Sequence, residues 1–253
     1  MRVTVLGTGT SQGVPVIACQ CEVCQSNDQH DKRLRSAIMV SDQNTCLVID
    51  AGADFRQQML THQVKRVDGL LITHGHKDHT GGLDDVRAFN WVLKKPIDIW
   101  ARKDVQDIVK REFPYAFGDN KYPGAPEINL RTIQDDDIVI GSMRITPVNA
   151  LHGNLPVTGF RIGAFSYLTD ASRIDTEELQ KMKGSRAIII NALRQQQHHS
   201  HFSLSEAVDI LKYLAPEKGY ITHISHQMGF HSKVQQLLPE NVFLAYDGLV
   251  IQV

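Results

Sequence analysis

The stretch Leu70-Leu71-Ile72-Thr73-His74-Gly75-His76-Lys77-Asp78-His79-Thr80-Gly81-Gly82 constrains this chain more than any other. An apolar, β-branched run from Val67 to Thr73 predicts a buried strand, and three histidines and an aspartate follow within six residues. That is a metal-ligand density. Neutral imidazole and carboxylate suit zinc, manganese and iron, and a loop at a strand's end can aim several of them inward. His74 and His76 are two apart, so an extended chain turns them to the same side. Asp78 and His79 come where the chain bends toward Gly81-Gly82 and need not reach the same ion, which points to two metals.

His-x-His-x-Asp-His after a strand resembles the signature of the metallo-β-lactamase fold superfamily, and every position is filled at His74, His76, Asp78 and His79. The resemblance implies an α/β fold, a four-layer αββα sandwich. The 253 residues suit such a layered enzyme as one unit, so a single domain over 1–253 is expected. Lys plus Arg number 27 against 28 Asp plus Glu, a balance that gives no footprint for nucleic acid or an anionic membrane. No apolar run approaches the roughly 18 residues of a transmembrane helix. Met1-Arg2-Val3-Thr4-Val5-Leu6 passes straight into a glycine turn without the pattern of a signal peptide, so the expected compartment is the cytoplasm.

Strands are expected at Arg2–Leu6, at Ala37–Val40 and Thr45–Ile49 as a hairpin, at Pro96–Ala101, twice between Ile138 and Val148, from Phe160 to Leu168, from Arg186 to Asn191, and before His223. Gly7-Thr8-Gly9-Thr10-Ser11-Gln12-Gly13 lacks the glycine spacing and the Lys-Ser/Thr of a phosphate loop, so it reads as a structural turn. Leu83, Val86, Phe89 and Leu93 recur at helical spacing, and further helices are expected at Asp104–Phe113, after Asp175, and from Ser203 to Leu214 with a Ser203/Glu206 capping box. Residues 113–128, rich in proline and aromatics, read either as a lid that contacts substrate or as a plain surface connection. Cys46 reads as a small core residue.

Three further residues stand at the ends of apolar runs: His152, Asp170 and His223. The resemblance implies that His74, His76 and His152 hold one divalent metal (zinc or manganese), Asp78, His79 and His223 the second, and that Asp170 bridges. Asp50 and Gly52 stand where the superfamily has an aspartate and glycine supporting the metal loop. A water between two cations ionises near neutral pH, and two divalent ions outweigh two aspartates and a hydroxide, so the site favours an anion such as a phosphodiester.

Cys19, Cys21 and Cys24 are odd in number and closely spaced, which argues against a disulfide framework. With His226, three residues after His223, they resemble the structural zinc site of the bacterial phosphoribosyl cyclic phosphodiesterases of phosphonate breakdown. That similarity extends to Thr222-His223-Ile224-Ser225-His226-Gln227 and Tyr246-Asp247-Gly248. Cleaving a phosphodiester leaves an alkoxide, and a general acid there is worth roughly a hundredfold or more. His201, just before the helix at Ser203, resembles the helix-opening histidine of those enzymes and is expected to be that acid, with Asp78 the other residue close to the chemistry. His198 and His199 read as surface residues, and Asn191 stands where relatives can carry an acid.

The sequence therefore predicts a binuclear phosphodiesterase acting on a small cyclic ribose ester, with no nucleic-acid or membrane partner; the resemblance suggests a homodimer. Its rivals are a transfer-RNA 3′-end nuclease, which usually adds a glycine-rich arm and basic surface not found here, an iron-dependent oxidoreductase, and a non-catalytic metal-binding protein.

Overall fold

The computed structural model describes residues 1–118 and 122–253. Two seven-stranded mixed sheets stack face to face. The first sheet takes β1 (Arg2–Gly7), β2 (Ala37–Ser41), β3 (Cys46–Ile49), β4 (Gly69–Leu71), β5 (Ile97–Ala101) and β6 (Ile128–Thr132). The second takes β7 (Ile138–Ile140), β8 (Met143–His152), β9 (Leu155–Ile162), β10 (Phe165–Leu168), β11 (Ala187–Asn191), β12 (Lys218–Thr222) and β13 (Val242–Leu244). Strand β14 (Val250–Gln252) returns to the free edge of β1, pairing Val3 with Ile251, so both chain ends lie in one sheet.

Continuous apolar strands make this stacking possible, because each has both faces to bury. Within Leu47-Val48-Ile49, Leu47 and Ile49 join the core between the sheets and Val48 joins the cluster under the outer helices. In β11, Ile189 meets Phe160 and Tyr167 between the sheets, while Ile188 and Ile190 pack outward with Val208 and Leu211. Each such side chain contributes about 1.5–3 kcal/mol by leaving water. Helices Phe55–Thr61, Arg87–Leu93 and Lys103–Glu112 cover the first sheet; Thr176–Met182, Leu204–Leu214 and His231–Gln235 cover the second. The four layers are the αββα sandwich.

The capping box forms as expected: Ser203 Oγ accepts the Glu206 N–H, and the Glu206 carboxylate accepts the Ser203 N–H at 2.8 Å. Three local differences have simple causes. The Val67–Thr73 run is regular only over β4, since Thr73 gives its carbonyl to the N–H of Thr158 in the other sheet. The helix expected from Leu83 begins as a 3-10 turn over Leu83–Val86 and becomes α-helical at Arg87. The second strand between Ile138 and Val148 continues as β8 to His152, carrying that histidine to the sheet's end.

Of residues 113–128, positions 119–121 lie outside the described residues. Phe113 and Ala116 are buried in the cluster beneath the first sheet's helices, and the Tyr115 hydroxyl donates to Asp84 at 2.6 Å. No helix among the described residues is long and apolar enough to cross a membrane.

β3 runs parallel to β4, and β11 runs parallel to both β10 and β12; these strands end on one edge, where α/β sheets place their sites. Two cross-sheet stitches hold that edge: Thr158 N–H to Thr73 O at 2.9 Å, and Ile224 N–H to Thr8 O at 2.8 Å.

Candidate metal centre

Six imidazoles form a closed ring at this edge. Going round it, centroid separations are 4.6 Å for His74–His76, 5.2 Å for His76–His152 and 4.4 Å for His152–His201. The circuit closes through His201–His223 at 5.0 Å, His223–His79 at 6.0 Å and His79–His74 at 4.2 Å. Asp170 reaches three of them: its Oδ2 lies 3.2 Å from His79 Nε2 and 3.1 Å from His223 Nδ1, and its Oδ1 lies 3.3 Å from His201 Nε2. Asp78 Oδ2 stands 3.2 Å from the same His79 nitrogen.

Outer partners fix which nitrogen each ring offers. His79 Nδ1 donates to Asp50 Oδ2 at 2.7 Å, and His152 Nδ1 donates to the Ser200 carbonyl at 2.6 Å. Thr73 gives its hydroxyl proton to Asp50, so its oxygen can accept from His74 Nδ1 at 3.0 Å. Asp50 thus orients one histidine directly and a second through Thr73. In the neutral rings of His74 and His152 the far nitrogen keeps its lone pair, the arrangement of a metal ligand with its supporting hydrogen bond, and the far nitrogen of His79 faces Asp78 and Asp170. Gly52 and Gly82 let the Asp50 turn close on the loop: a Cβ at Gly52 would fall on the Asp78 carbonyl oxygen, and one at Gly82 on the Gly52 carbonyl.

The charges are those of a cation site. Burial holds His74 well below the usual imidazole range, lowers His152, and brings His223 to about 4, so these rings are neutral at pH 7. His79 goes the other way, because the Asp50 and Asp170 carboxylates outweigh its burial. Burial resists ionisation of Asp170, yet His223 and His79 keep it well below the carboxylate range. No Lys or Arg pairs with Asp50, Asp78 or Asp170 among the described residues. Buried carboxylates require a counter-charge. His79 Nε2 and His223 Nδ1 are buried without a hydrogen-bond partner although carboxylate oxygens stand beside them. A divalent ion would satisfy both the orphaned nitrogens and the carboxylates, so the residues fit the group.

Three of the residues adopt left-handed backbone: Asp50 at φ 68°, Asp170 at φ 60° and His223 at φ 56°. A non-glycine residue held there costs on the order of 1–3 kcal/mol, a strain concentrated where side chains must be aimed.

Two ligand groups close within 4.8 Å, namely Asp78, His79, Asp170, His223, and His152, Asp170, His201. The first is the set expected for the second metal. The other differs from expectation, since His201 joins His152 and Asp170, while His74 and His76 meet through His74 Nε2 and His76 Nδ1 at 3.1 Å. His198, expected at the surface, has its Nδ1 3.3 Å from that of His201.

The model of the β-lactamase superfamily domain matches residues 45–224, which span β3 to the His223 loop. A solved diphosphatase of the PhnP family superposes with TM-score 0.93 at 34% identity, covering 100% of this chain and 97% of that one. The chain belongs to the metallo-β-lactamase fold superfamily, close to its PhnP family. Its donor set is of the kind a metal-dependent hydrolase uses. An octanoyltransferase of Porphyromonas gingivalis is 36% identical over 98% of this chain, and the chain spans about half (51%) of that curated relative. Zinc-bound PqqB of Methylobacterium extorquens shares the fold at TM-score 0.78 and 16% identity, each chain covered in full (100%).

In this superfamily member a second, separate cluster lies at the amino-terminal loop. His226 Nδ1 is 3.3 Å from Cys19 Sγ, 3.3 Å from Cys21 Sγ and 3.5 Å from Cys24 Sγ. Tetrahedral zinc with the usual bond lengths sets sulfur and nitrogen about 3.6 Å apart, so the four residues fit a closed zinc site. The Cys24 N–H donates to Cys21 Sγ at 3.4 Å and is the main reason that thiol falls to about 6. Cys21→Ser is expected to lower Tm by several degrees while turnover per folded molecule changes less than about threefold, because zinc ligation by these residues would be coupled to folding. A normal melting curve with lost turnover would contradict a structural role.

Sequence reasoning missed Thr73 as the relay from Asp50, the Ser200 carbonyl on His152, and the Thr169 hydroxyl that donates to Asp170 Oδ2 at 2.7 Å. Thr73 and Thr169 each precede a site residue, a position that carries no distinctive signal.

Proposed function

We propose that the chain is a binuclear phosphodiesterase acting on a small, cyclic ribose phosphodiester, and that residues 1–253 work as one cytoplasmic domain without nucleic acid or membrane. The observation that carries this is the place of Asp170: it lies within 4.8 Å of Asp78, His79 and His223 on one side and of His152 and His201 on the other, as a carboxylate shared by two ions would. In this reading Asp78, His79 and His223 would hold one ion and His74, His76 and His152 the other, Asp170 would serve both, and Cys19, Cys21, Cys24 and His226 would hold a structural zinc. Two divalent cations, zinc or manganese, would supply Lewis acidity toward phosphoryl oxygens and the means to ionise a water at neutral pH.

The residues do the rest. Asp50 holds His79 and, through Thr73, His74, so the ligands are fixed before substrate arrives. His201 is 11% exposed beside Asp170 Oδ1, placed to give a proton to the leaving ribose oxygen. The PhnP-family relative is described as a diphosphatase, which supports a phosphorus-centred substrate.

A panel of cyclic ribose phosphodiesters, linear diphosphate esters, phosphomonoesters, lactams, thioesters and precursor transfer RNA tests the reading. The cyclic diester is expected to give a kcat/KM at least tenfold above every other class. Preference for transfer RNA, or redox activity with bound iron and no hydrolysis, would overturn it.

A further inference from the structure

Asn191, the last residue of β11, is fully buried, and its carboxamide closes on one residue. Its Oδ1 accepts the Ala171 N–H at 2.8 Å and its Nδ2 donates to the Ala171 carbonyl at 2.9 Å. Ala171 directly follows Asp170, whose φ of 60° has no glycine to ease it. The same carbonyl accepts the Phe202 N–H at 2.8 Å, and Phe202 directly follows His201. On its other side, Asn191 pairs in register with Thr222, and the next residue's N–H, of Ala192, donates to the Thr222 carbonyl at 2.9 Å. Thr222 directly precedes His223, itself at φ 56°.

We infer that Asn191 is a positioning residue that sets Asp170, His201 and His223 against one another. The three come from segments far apart in sequence, and their backbones meet at this one side chain or at its strand-end neighbour. The carboxamide offers an acceptor and a donor side by side to the N–H and the carbonyl of one residue; an ionised aspartate would lack the donor and a leucine both. The inference rests on the proposed metal centre and adds a residue that touches neither metal nor substrate. Outer-shell supports of this kind are typically worth 10–100-fold in metal affinity or activity.

The test is Mn²⁺ titration by calorimetry, with kcat and KM, on wild type, Asn191→Leu and Ile189→Ala, the last a buried residue of the same strand that faces the sheet–sheet core. Asn191→Leu is expected to weaken Mn²⁺ binding about 10–100-fold and to lower kcat more than it raises KM. Ile189→Ala is expected to melt lower yet bind Mn²⁺ as wild type does. Should Asn191→Leu fail to fold, Asn191→Ser, whose hydroxyl is too short to reach both Ala171 groups, is expected to lose affinity in the same direction. Wild-type binding and turnover in a folded Asn191 variant, or an equal affinity loss in Ile189→Ala, would overturn the inference. Failure of the wild type itself to bind two Mn²⁺ would overturn the metal-centre reading beneath it.

Discussion

Asp170→Ala is expected to lower kcat/KM by on the order of a thousandfold or more, about 4 kcal/mol of lost transition-state stabilisation. The size follows from what the carboxylate touches. Its two oxygens face His79, His223 and His201 within 3.1–3.3 Å, so alanine removes the group common to both ligand clusters. The substitution also leaves His79 with Asp50 and Asp78 alone, and His223 with no carboxylate within ion-pair distance among the described residues. Serine or asparagine would be poorer still as controls for size alone, because each brings a new donor into a buried site. A melting curve of the variant separates unfolding from lost chemistry, and kcat/KM on the preferred ester measures the effect; retention of full activity would remove Asp170 from the centre.

How much of this was legible in the sequence depends on distance along the chain. His74, His76, Asp78 and His79 are readable because one strand end delivers them all, and the cysteine triplet because its spacing is that of a zinc loop. The layered fold was readable through the resemblance that the His74–His79 motif carries, and strands with both faces buried agree with it. The companionship of His201 with Asp170 was not, since it depends on the 192–203 loop crossing back over the strand ends, which no local pattern encodes. Nor was the left-handed backbone at Asp50, Asp170 and His223 visible, because none of these positions carries the glycine that usually marks it. Asn191 shows the limit best: the sequence suggested a place where an acid can stand, whereas the folded chain uses it as an amide clamp.

His201→Ala is expected to slow a ribose-type cyclic ester by about a hundredfold or more while changing a nitrophenyl phosphodiester less than about fivefold. An acid helps in proportion to how strongly the leaving oxygen needs a proton. A ribose oxygen needs one; a nitrophenolate departs almost unaided. The structure sharpens the experiment, because His201 Nε2 lies 3.3 Å from Asp170 Oδ1 and within ligand distance of His152. Retained metal with selective loss on the ribose ester identifies a proton donor. Equal loss on both esters with metal retained makes His201 a positioning group, and loss of metal makes it a ligand.

The central claim is that this fold holds two catalytic metals bridged by Asp170 beside one structural zinc at the cysteines. The most direct measurement is the metal content of the purified wild type and Asp170→Ala chains by mass spectrometry of the elements. The account predicts three ions per wild-type chain, and one zinc, held by Cys19, Cys21, Cys24 and His226, in the variant. Equal metal content in the two proteins would contradict it.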